Sequence, residues 1–352
     1  MKRVGIVGAG GYAGIEVARC ILGHPELELV YAASDSQASV KLSEAYPALS
    51  GHCDLAFSPL DADEIVARCD VVFLAVPHTA SLALTPQLVE AGLLVVDLSA
   101  DYRLHDPAEY EAWYGVEHTS PGLLASAVYG LPELHRDALI ALQGANERLI
   151  ACPGCYPTAS ALAAIPALEA GLWAGGTVIS DCLSGVSGAG RKLVRSSMFC
   201  SAAESASAYG VARHRHTPEI SQTLSEAAGT TVPVVFTPHL APFKRGILAT
   251  VYLQVQPGHR VERFQEVYEA RYADEPFVTV LPQGTMPQVA SVQGSNGCHI
   301  GLALDSRTDM LIVSSAIDNL DKGAASQAVQ AANIALGFDE QAGLQCMLPT
   351  VV

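Results

Sequence analysis

Short apolar runs alternate with longer amphipathic stretches through the first third of the chain. Residues 4–7 precede a helix-like stretch at 12–22, then come 27–33 and later 71–76, 85–91 and 94–98. Strand-sized apolar runs followed by residues at helical spacing predict a parallel sheet with crossover helices. Pro, Gly and polar residues between Asp101 and Gly122 break the rhythm, which resumes at 149–151, just before Cys152-Pro153-Gly154-Cys155.

Beyond Cys155 the pattern changes. One helix-like stretch at 158–171 precedes strand-like runs at 177–182, 232–237, 246–255, 277–281 and 300–304. Strands dominate, so an α+β second domain is expected. A run rich in Ala, Gln and Val at 323–336 follows a strand-like run at 310–316 and predicts a helix that returns to pack on the first domain. A chain of 352 residues exceeds the size at which single cores stop growing, which also favours two domains.

Half the residues are hydrophobic and 16% are charged, which excludes a disordered chain. The net charge of -16 opposes binding to nucleic acid or an anionic membrane, both of which need clustered cations. An anionic substrate must therefore be drawn by locally placed Lys and Arg or by helix N-termini. The apolar run at 4–7 is too short for a signal peptide or a membrane span. A cytoplasmic protein is expected, its nine irregularly spaced cysteines reduced thiols and not a disulfide framework.

Gly8-Ala9-Gly10-Gly11-Tyr12-Ala13-Gly14 lies between a strand-like and a helix-like run, the context a dinucleotide-binding turn requires. Glycines let the backbone approach a pyrophosphate, whose charge meets free N–H groups and the positive helix end. A plain tight turn is the alternative. After the second strand, Ser34-Asp35-Ser36 with Lys41 gives conflicting signals. The acid suits the free ribose hydroxyl of NAD, whereas the serines and Lys41 suit the 2′-phosphate of NADP.

Cys155 precedes Tyr156-Pro157-Thr158, and Pro157 marks a first helical turn. A thiol at a helix N-terminus is favoured as thiolate and is an available nucleophile. Cys152 and Cys155 also form a C-x-x-C, but no second such pair exists to complete a four-thiolate metal site. His214-Arg215-His216-Thr217-Pro218-Glu219 combines acid–base groups with a cation, or is a metal pair or an exposed turn. The loop from Ser184 to Lys192 offers Ser187, Gly188, Arg191 and Lys192 to an anion, or is a surface loop.

A nucleotide turn, a cysteine after Pro-Gly and a late histidine together resemble the aldehyde dehydrogenases that reduce acyl phosphates. The segments GAGGYAG, VFLAVPH, DLSADYRL, CPGCYPTA, SGVSGAGRK, HRHTPEI, VFTPHLAPFKRGIL and DNLDKGAASQAVQ resemble, in that order, the N-acetyl-γ-glutamyl-phosphate reductase family. They span nearly the whole chain. The resemblance implies an α/β fold with a Rossmann-type dinucleotide-binding domain over 1–151, completed by 318–352. It implies an α+β catalytic and oligomerisation domain over 152–317, like the C-terminal domain of glyceraldehyde-3-phosphate dehydrogenase. NADPH as reductant, no metal, an acyl phosphate substrate and a homodimer or homotetramer are implied as well.

Carried over by position, Cys155 is the nucleophile, His216 the leading acid–base group with His214 second, and Glu219 orients an imidazole. Gly8, Gly11, Tyr12 and Gly14 would lie against the pyrophosphate, with Pro77 and His78 bordering the cofactor and Ser34, Ser36 and Lys41 at the 2′-phosphate. Ser187, Gly188, Asn319, Lys322 and Gly323 match segments near the cofactor, while Ser99, Arg103, Arg191, Lys192 and Arg215 would meet substrate anions. The chain departs from relatives at Asp35, where a basic residue is common, and at Cys152, a neighbouring thiol able to pair with Cys155 on oxidation. Ser201 and Ala203 replace a common Glu and Asn. A reductase of a related acyl phosphate, aspartyl or carrier-bound, and an NADP(H) sensor without chemistry are the rival readings.

Overall fold

The computed structural model describes residues 1–345. Two compact units divide the chain, Met1–Pro153 with Ala324–Val352, and Gly154–Gly323.

The first unit is built on six parallel strands, β1 Lys2–Val7, β2 Leu27–Ala33, β3 Val71–Leu74, β4 Leu94–Asp97, β5 Val128–Tyr129 and β6 Leu149–Ala151. Their order is β2-β1-β3-β4-β6-β5. Every residue of β3 and β4 is buried, which explains the uninterrupted apolar runs of β3 and of Leu94–Val96 in β4. The strand order reverses between β1 and β3, the switch point at which open α/β sheets bind ligands. The helix Ala325–Leu336 joins this unit, packing on the helices Tyr12–Leu22 and Pro132–Ala141. Its many alanines allow close approach, and buried polar contacts lock it: His24 Nε2 lies 3.0 Å from Asn333 Oδ1, and Gln330 donates to Glu340 at 2.7 Å.

The segment whose Pro and Gly break the sequence rhythm contains a helix, Pro107–Tyr114. Its apparent breakers are its caps: Asp106 accepts the Ala108 N–H, Pro107 occupies the first turn, and Gly115 closes the end at φ 73°.

The second unit has a seven-stranded mixed sheet of β7 Val178–Ser184, β8 Ser207–Ala208, β9 Val234–Leu240, β10 Ile247–Gln254, β11 Val278–Val280, β12 Cys298–Asp305 and β13 Met310–Ile317. Their order is β11-β12-β13-β10-β7-β9-β8. Strict alternation sends Ile247, Ala249, Val251 and Leu253 of β10 into the core. The helix Cys155–Glu169 packs over β10 and β13, with Ser315 Oγ donating to the Ala159 carbonyl at 2.7 Å. A second helix that the pattern does not announce, Val261–Tyr272, buries Phe264, Tyr268 and Tyr272 and donates from its tyrosines to the Ala163 and Leu162 carbonyls.

Residues 318–323, expected to belong with the first unit, lie in the second. The reason is electrostatic. Asp318 and Asp321 are fully buried and paired with Arg245, which follows β9 in the second unit.

Candidate active site

In the first unit the sequence from β1 into the helix Tyr12–Leu22 forms a tight glycine turn. Gly8 sits at φ 83°, and a Cβ there would run into the Ala75 carbonyl. A Cβ at Gly14 would overlap the Gly8 carbonyl oxygen, and one at Gly10 would meet Ser34 Oγ at 2.6 Å. Gly11 occupies the cap position of the helix and brings no capping side chain of its own to the helix's positive end. Bare glycine backbone at an uncapped helix start on the switch point fits a dinucleotide pyrophosphate. Tyr46, which the sequence reading passes over, donates from its hydroxyl to the Gly10 carbonyl at 2.9 Å and pins the turn. A tyrosine 36 residues away carries no local signal.

Ser34 follows β2 directly, where the ribose-reading acid usually stands. The Asp35 carboxylate accepts the Leu60 N–H at 2.9 Å. Ser36 is exposed, and Lys41 makes a solvent-facing pair with Asp54 at 3.2 Å that an incoming phosphate can replace. Pro77 is exposed, and His78 Nδ1 accepts the Ala100 N–H at 3.1 Å.

Ser99 is buried in a carboxylate network and donates to Asp97 Oδ2 at 2.8 Å. Ser81 Oγ bridges Asp97 and Asp101, which also accepts the Tyr110 hydroxyl. The Ser99 hydroxyl is thus already engaged, donating to Asp97 and accepting the Asp101 N–H at 3.1 Å. Burial, with the Asp101 charge second, pushes Asp97 up to about 6. Arg103 is buried and donates to the Leu98 carbonyl at 2.8 Å. Burial also holds the Cys152 thiol well above the usual range, against the smaller pull of Arg103, so Cys152 is a poor disulfide-exchange partner.

In the second unit Cys155 is the first residue of the helix Cys155–Glu169, half-buried, and Gly154 caps that helix with no side-chain hydrogen bond. Pro157 falls in the first turn, where its missing N–H costs nothing. Glu219, buried in the helix His216–Ala228, accepts the Gly154 N–H at 2.7 Å. Its carboxylate thus braces the residue before the thiol. A Cβ at Gly323 would come within 2.8 Å of Cys155 Cβ, so only glycine lets this turn rest on the cysteine.

His216 opens its own helix, and its ring centroid lies 4.9 Å from that of His214. His214 is packed edge-on against Tyr156, Tyr209 and Phe236. Burial, reinforced by the Arg215 charge, pulls the His214 imidazole down to about 4. Its Nδ1 accepts the His216 N–H at 3.1 Å, which leaves the proton on Nε2. Tyr156 and Tyr209, absent from the sequence's site residues, share a 2.6 Å hydroxyl hydrogen bond. Burial raises Tyr156 strongly and Tyr209 to about 12, and the Cys155 charge adds to both, which marks them as its electrostatic neighbours.

Asn319 accepts the Gly246 N–H at 2.6 Å and hydrogen-bonds Ser187 Oγ at 3.1 Å, with Gly188 alongside. Lys322 is fully buried, its ammonium 5.7 Å from the Phe277 ring. Arg191, Lys192 and Arg215 are exposed.

A nucleotide turn on a parallel sheet, joined to a mixed-sheet unit with a cysteine at a helix start, defines the semialdehyde dehydrogenase class. The family described as "Semialdehyde dehydrogenase, NAD binding domain" matches residues 3–142, and "Semialdehyde dehydrogenase, dimerisation domain" matches 155–319. Proteins named N-acetyl-γ-glutamyl-phosphate reductase from Azotobacter vinelandii and Pseudomonas aeruginosa are each 50% identical over 345 residues, 98% of both chains. The chain belongs to the N-acetyl-γ-glutamyl-phosphate reductase family. In fold it is similar to aspartate semialdehyde dehydrogenase II from Vibrio cholerae, TM-score 0.71 at 16% identity over 96% of this chain and 98% of that one. The aspartate semialdehyde dehydrogenase of Candida albicans solved with NADP gives 0.69 at 18%, over 95% and 98%.

Proposed function

We propose that this chain reduces N-acetyl-γ-glutamyl phosphate to N-acetyl-L-glutamate 5-semialdehyde and phosphate with NADPH, a step of arginine biosynthesis. The reading rests above all on Cys155 at the start of a helix, its preceding N–H braced by Glu219, in a chain half identical to reductases of that name.

The Cys155 sulfur, favoured as thiolate by the helix terminus, bonds to the acyl carbon. The carbon–oxygen bond to phosphate breaks, the electron pair leaves with phosphate, and a thioester remains on Cys155. A reduced nicotinamide, when bound, supplies hydride for that thioester carbon. His216 protonates the resulting oxyanion and takes the proton back as the carbon–sulfur bond breaks, which returns the thiolate and frees the aldehyde. His214, neutral at pH 7, fixes the start of the His216 helix through its Nδ1.

Gly8, Gly11, Tyr12 and Gly14 hold the pyrophosphate, and Pro77, His78, Ser187, Gly188, Asn319 and Gly323 border the cofactor. Ser34, Ser36 and Lys41 receive the 2′-phosphate, because Ser34 stands in the acid's place and Asp35 is tied to Leu60. Arg103, Arg191, Lys192 and Arg215 attract the substrate's anionic groups. The protein works in the cytoplasm as a homo-oligomer that covers the outer sheet face carrying Ile179 and Val235, both more than a third exposed.

The test is phosphate-dependent reduction of NADP or NAD by purified protein given N-acetylglutamate semialdehyde, run beside Cys155→Ala. Activity that prefers NADP and vanishes in the variant is expected. Turnover surviving in Cys155→Ala ends the mechanism. Activity on aspartate semialdehyde alone moves the substrate to another acyl phosphate, and cofactor binding with no turnover leaves a sensor.

A further inference from the structure

The largest buried side chains of the second unit include one with no part in the chemistry above. Arg245 is 1% exposed, and its guanidinium donates from Nε to Asp318 Oδ2 at 2.6 Å and from Nη2 to Asp321 Oδ2 at 2.9 Å. The two carboxylates lie in the turn 318–323, whose last residue, Gly323, packs on Cys155. Asp318 shapes that turn: its Oδ1 accepts the Leu320 and Asp321 N–H groups, and its carbonyl accepts that of Gly323 at 2.8 Å.

The backbone beside Arg245 holds a second loop. A Cβ at Gly185 would meet Arg245 N at 2.7 Å, Gly185 N–H donates to the Gly246 carbonyl, and Ser187 N–H donates to that of Lys244. Gly246 N–H in turn donates to Asn319 Oδ1. A third segment closes the cluster, since Gln293 donates to the Arg245 carbonyl and Gly294 N–H donates to Asp318 Oδ2. Arg245 therefore joins three loops, the 318–323 turn through its guanidinium and the other two through its backbone and Asp318, and one of them rests on Cys155.

We propose that Arg245 is a positioning residue that acts through Asp318 and Asp321 to hold the 318–323 turn, and with it the Cys155 thiol, in reactive register. A planar fork suits this role because it fixes two carboxylates in direction as well as distance, which an ammonium does not. The proposal rests on Cys155 being the nucleophile, and the experiment separates the two.

Full-length Arg245→Lys, Asp321→Asn and Arg245→Ala are compared with wild type in melting temperature, in kcat and KM, and in the pH profile of Cys155 alkylation by iodoacetamide, followed on its own peptide by mass spectrometry. At a temperature where each variant is folded, kcat is expected to fall about tenfold or more, because small misplacements of a reacting group are costly. The KM for NADP is expected to change with kcat, since Asn319 and Gly323 of the held turn border the cofactor, so kcat and the alkylation profile decide the outcome. The alkylation profile should move along the pH axis, and millimolar methylguanidine should restore part of the Arg245→Ala activity. If Arg245→Ala does not fold, Arg245→Lys and Asp321→Asn carry the test. A lower melting temperature with wild-type kcat and an unmoved alkylation profile overturns the proposal and leaves Arg245 purely structural. An unreactive Cys155 in wild type instead overturns the nucleophile itself.

Discussion

His214 and His216 are two residues apart, yet burial separates their chemistry. Enclosed by Tyr156, Tyr209 and Phe236, His214 is pulled down to about 4, so it is neutral where the enzyme works and its Nδ1 is used by the His216 N–H. The sequence offers both imidazoles as acid–base groups, because a His-x-His pattern does not say which ring lies among aromatics supplied by distant segments. His216→Asn should lower kcat about a hundredfold, the usual value of a general acid–base group. His214→Asn, which keeps an acceptor near the same N–H, should cost less than about tenfold in kcat and appear mainly as lower thermal stability. Steady-state rates beside melting curves check both, and equal losses in kcat would defeat the division of roles. Glu219 shows a contact that no local pattern announces, since the fold brings its carboxylate to the Gly154 N–H 65 residues away.

Elements were legible where their signal is local. The buried strands β3 and β4 read as apolar runs, and the glycine turn was recognisable from its place between β1 and a helix. Where capping residues imitate breakers, as in Pro107–Tyr114, or where tyrosines at four-residue spacing carry the buried face, as in Val261–Tyr272, the helix was hidden. Helix Cys155–Glu169 begins three residues earlier than its periodicity suggests, because Gly154 and Cys155 have no apolar pattern to show. The end of β2 decides cofactor choice on the present reading, with Ser34 beside Gly10 and Asp35 turned to Leu60. Ser34→Asp should raise the KM for NADP about tenfold or more while changing that for NAD far less, because a carboxylate repels the 2′-phosphate and accepts a free hydroxyl. Parallel initial-rate measurements with the two cofactors decide it. An unchanged ratio would place the 2′-phosphate elsewhere.

The whole molecule carries a net charge of -16, and most of its carboxylates face water, but the Asp97–Asp101 pair sits inside the first unit. Nothing local in the sequence marks Asp97 as buried, since burial there comes from β3, β6 and the helix Ser81–Glu90 around it. The pair makes stability depend on pH in the opposite sense to an ordinary salt-bridged acid. Burial first, and the charge of Asp101 second, raise Asp97 from 3.8 to about 6 in the folded protein, so the native state holds its proton more tightly than the unfolded chain does. Stability from this group is complete below the unfolded value and is lost as pH rises through about 6. Asp97 alone should make the protein roughly 1 kcal/mol more stable at pH 5 than at pH 7, on the scale of 1.4 kcal/mol for each tenfold change in proton affinity. Surface acids such as Asp70, held low by Arg3, pull the other way, so the difference between wild type and variant is the informative quantity. Asp97→Asn replaces an acceptor with a donor and should be less stable overall, yet its stability relative to wild type should improve as pH rises from 5 to 7. Denaturant midpoints at the two pH values measure this. Parallel shifts in the two proteins would mean that Asp97 does not change protonation across that range.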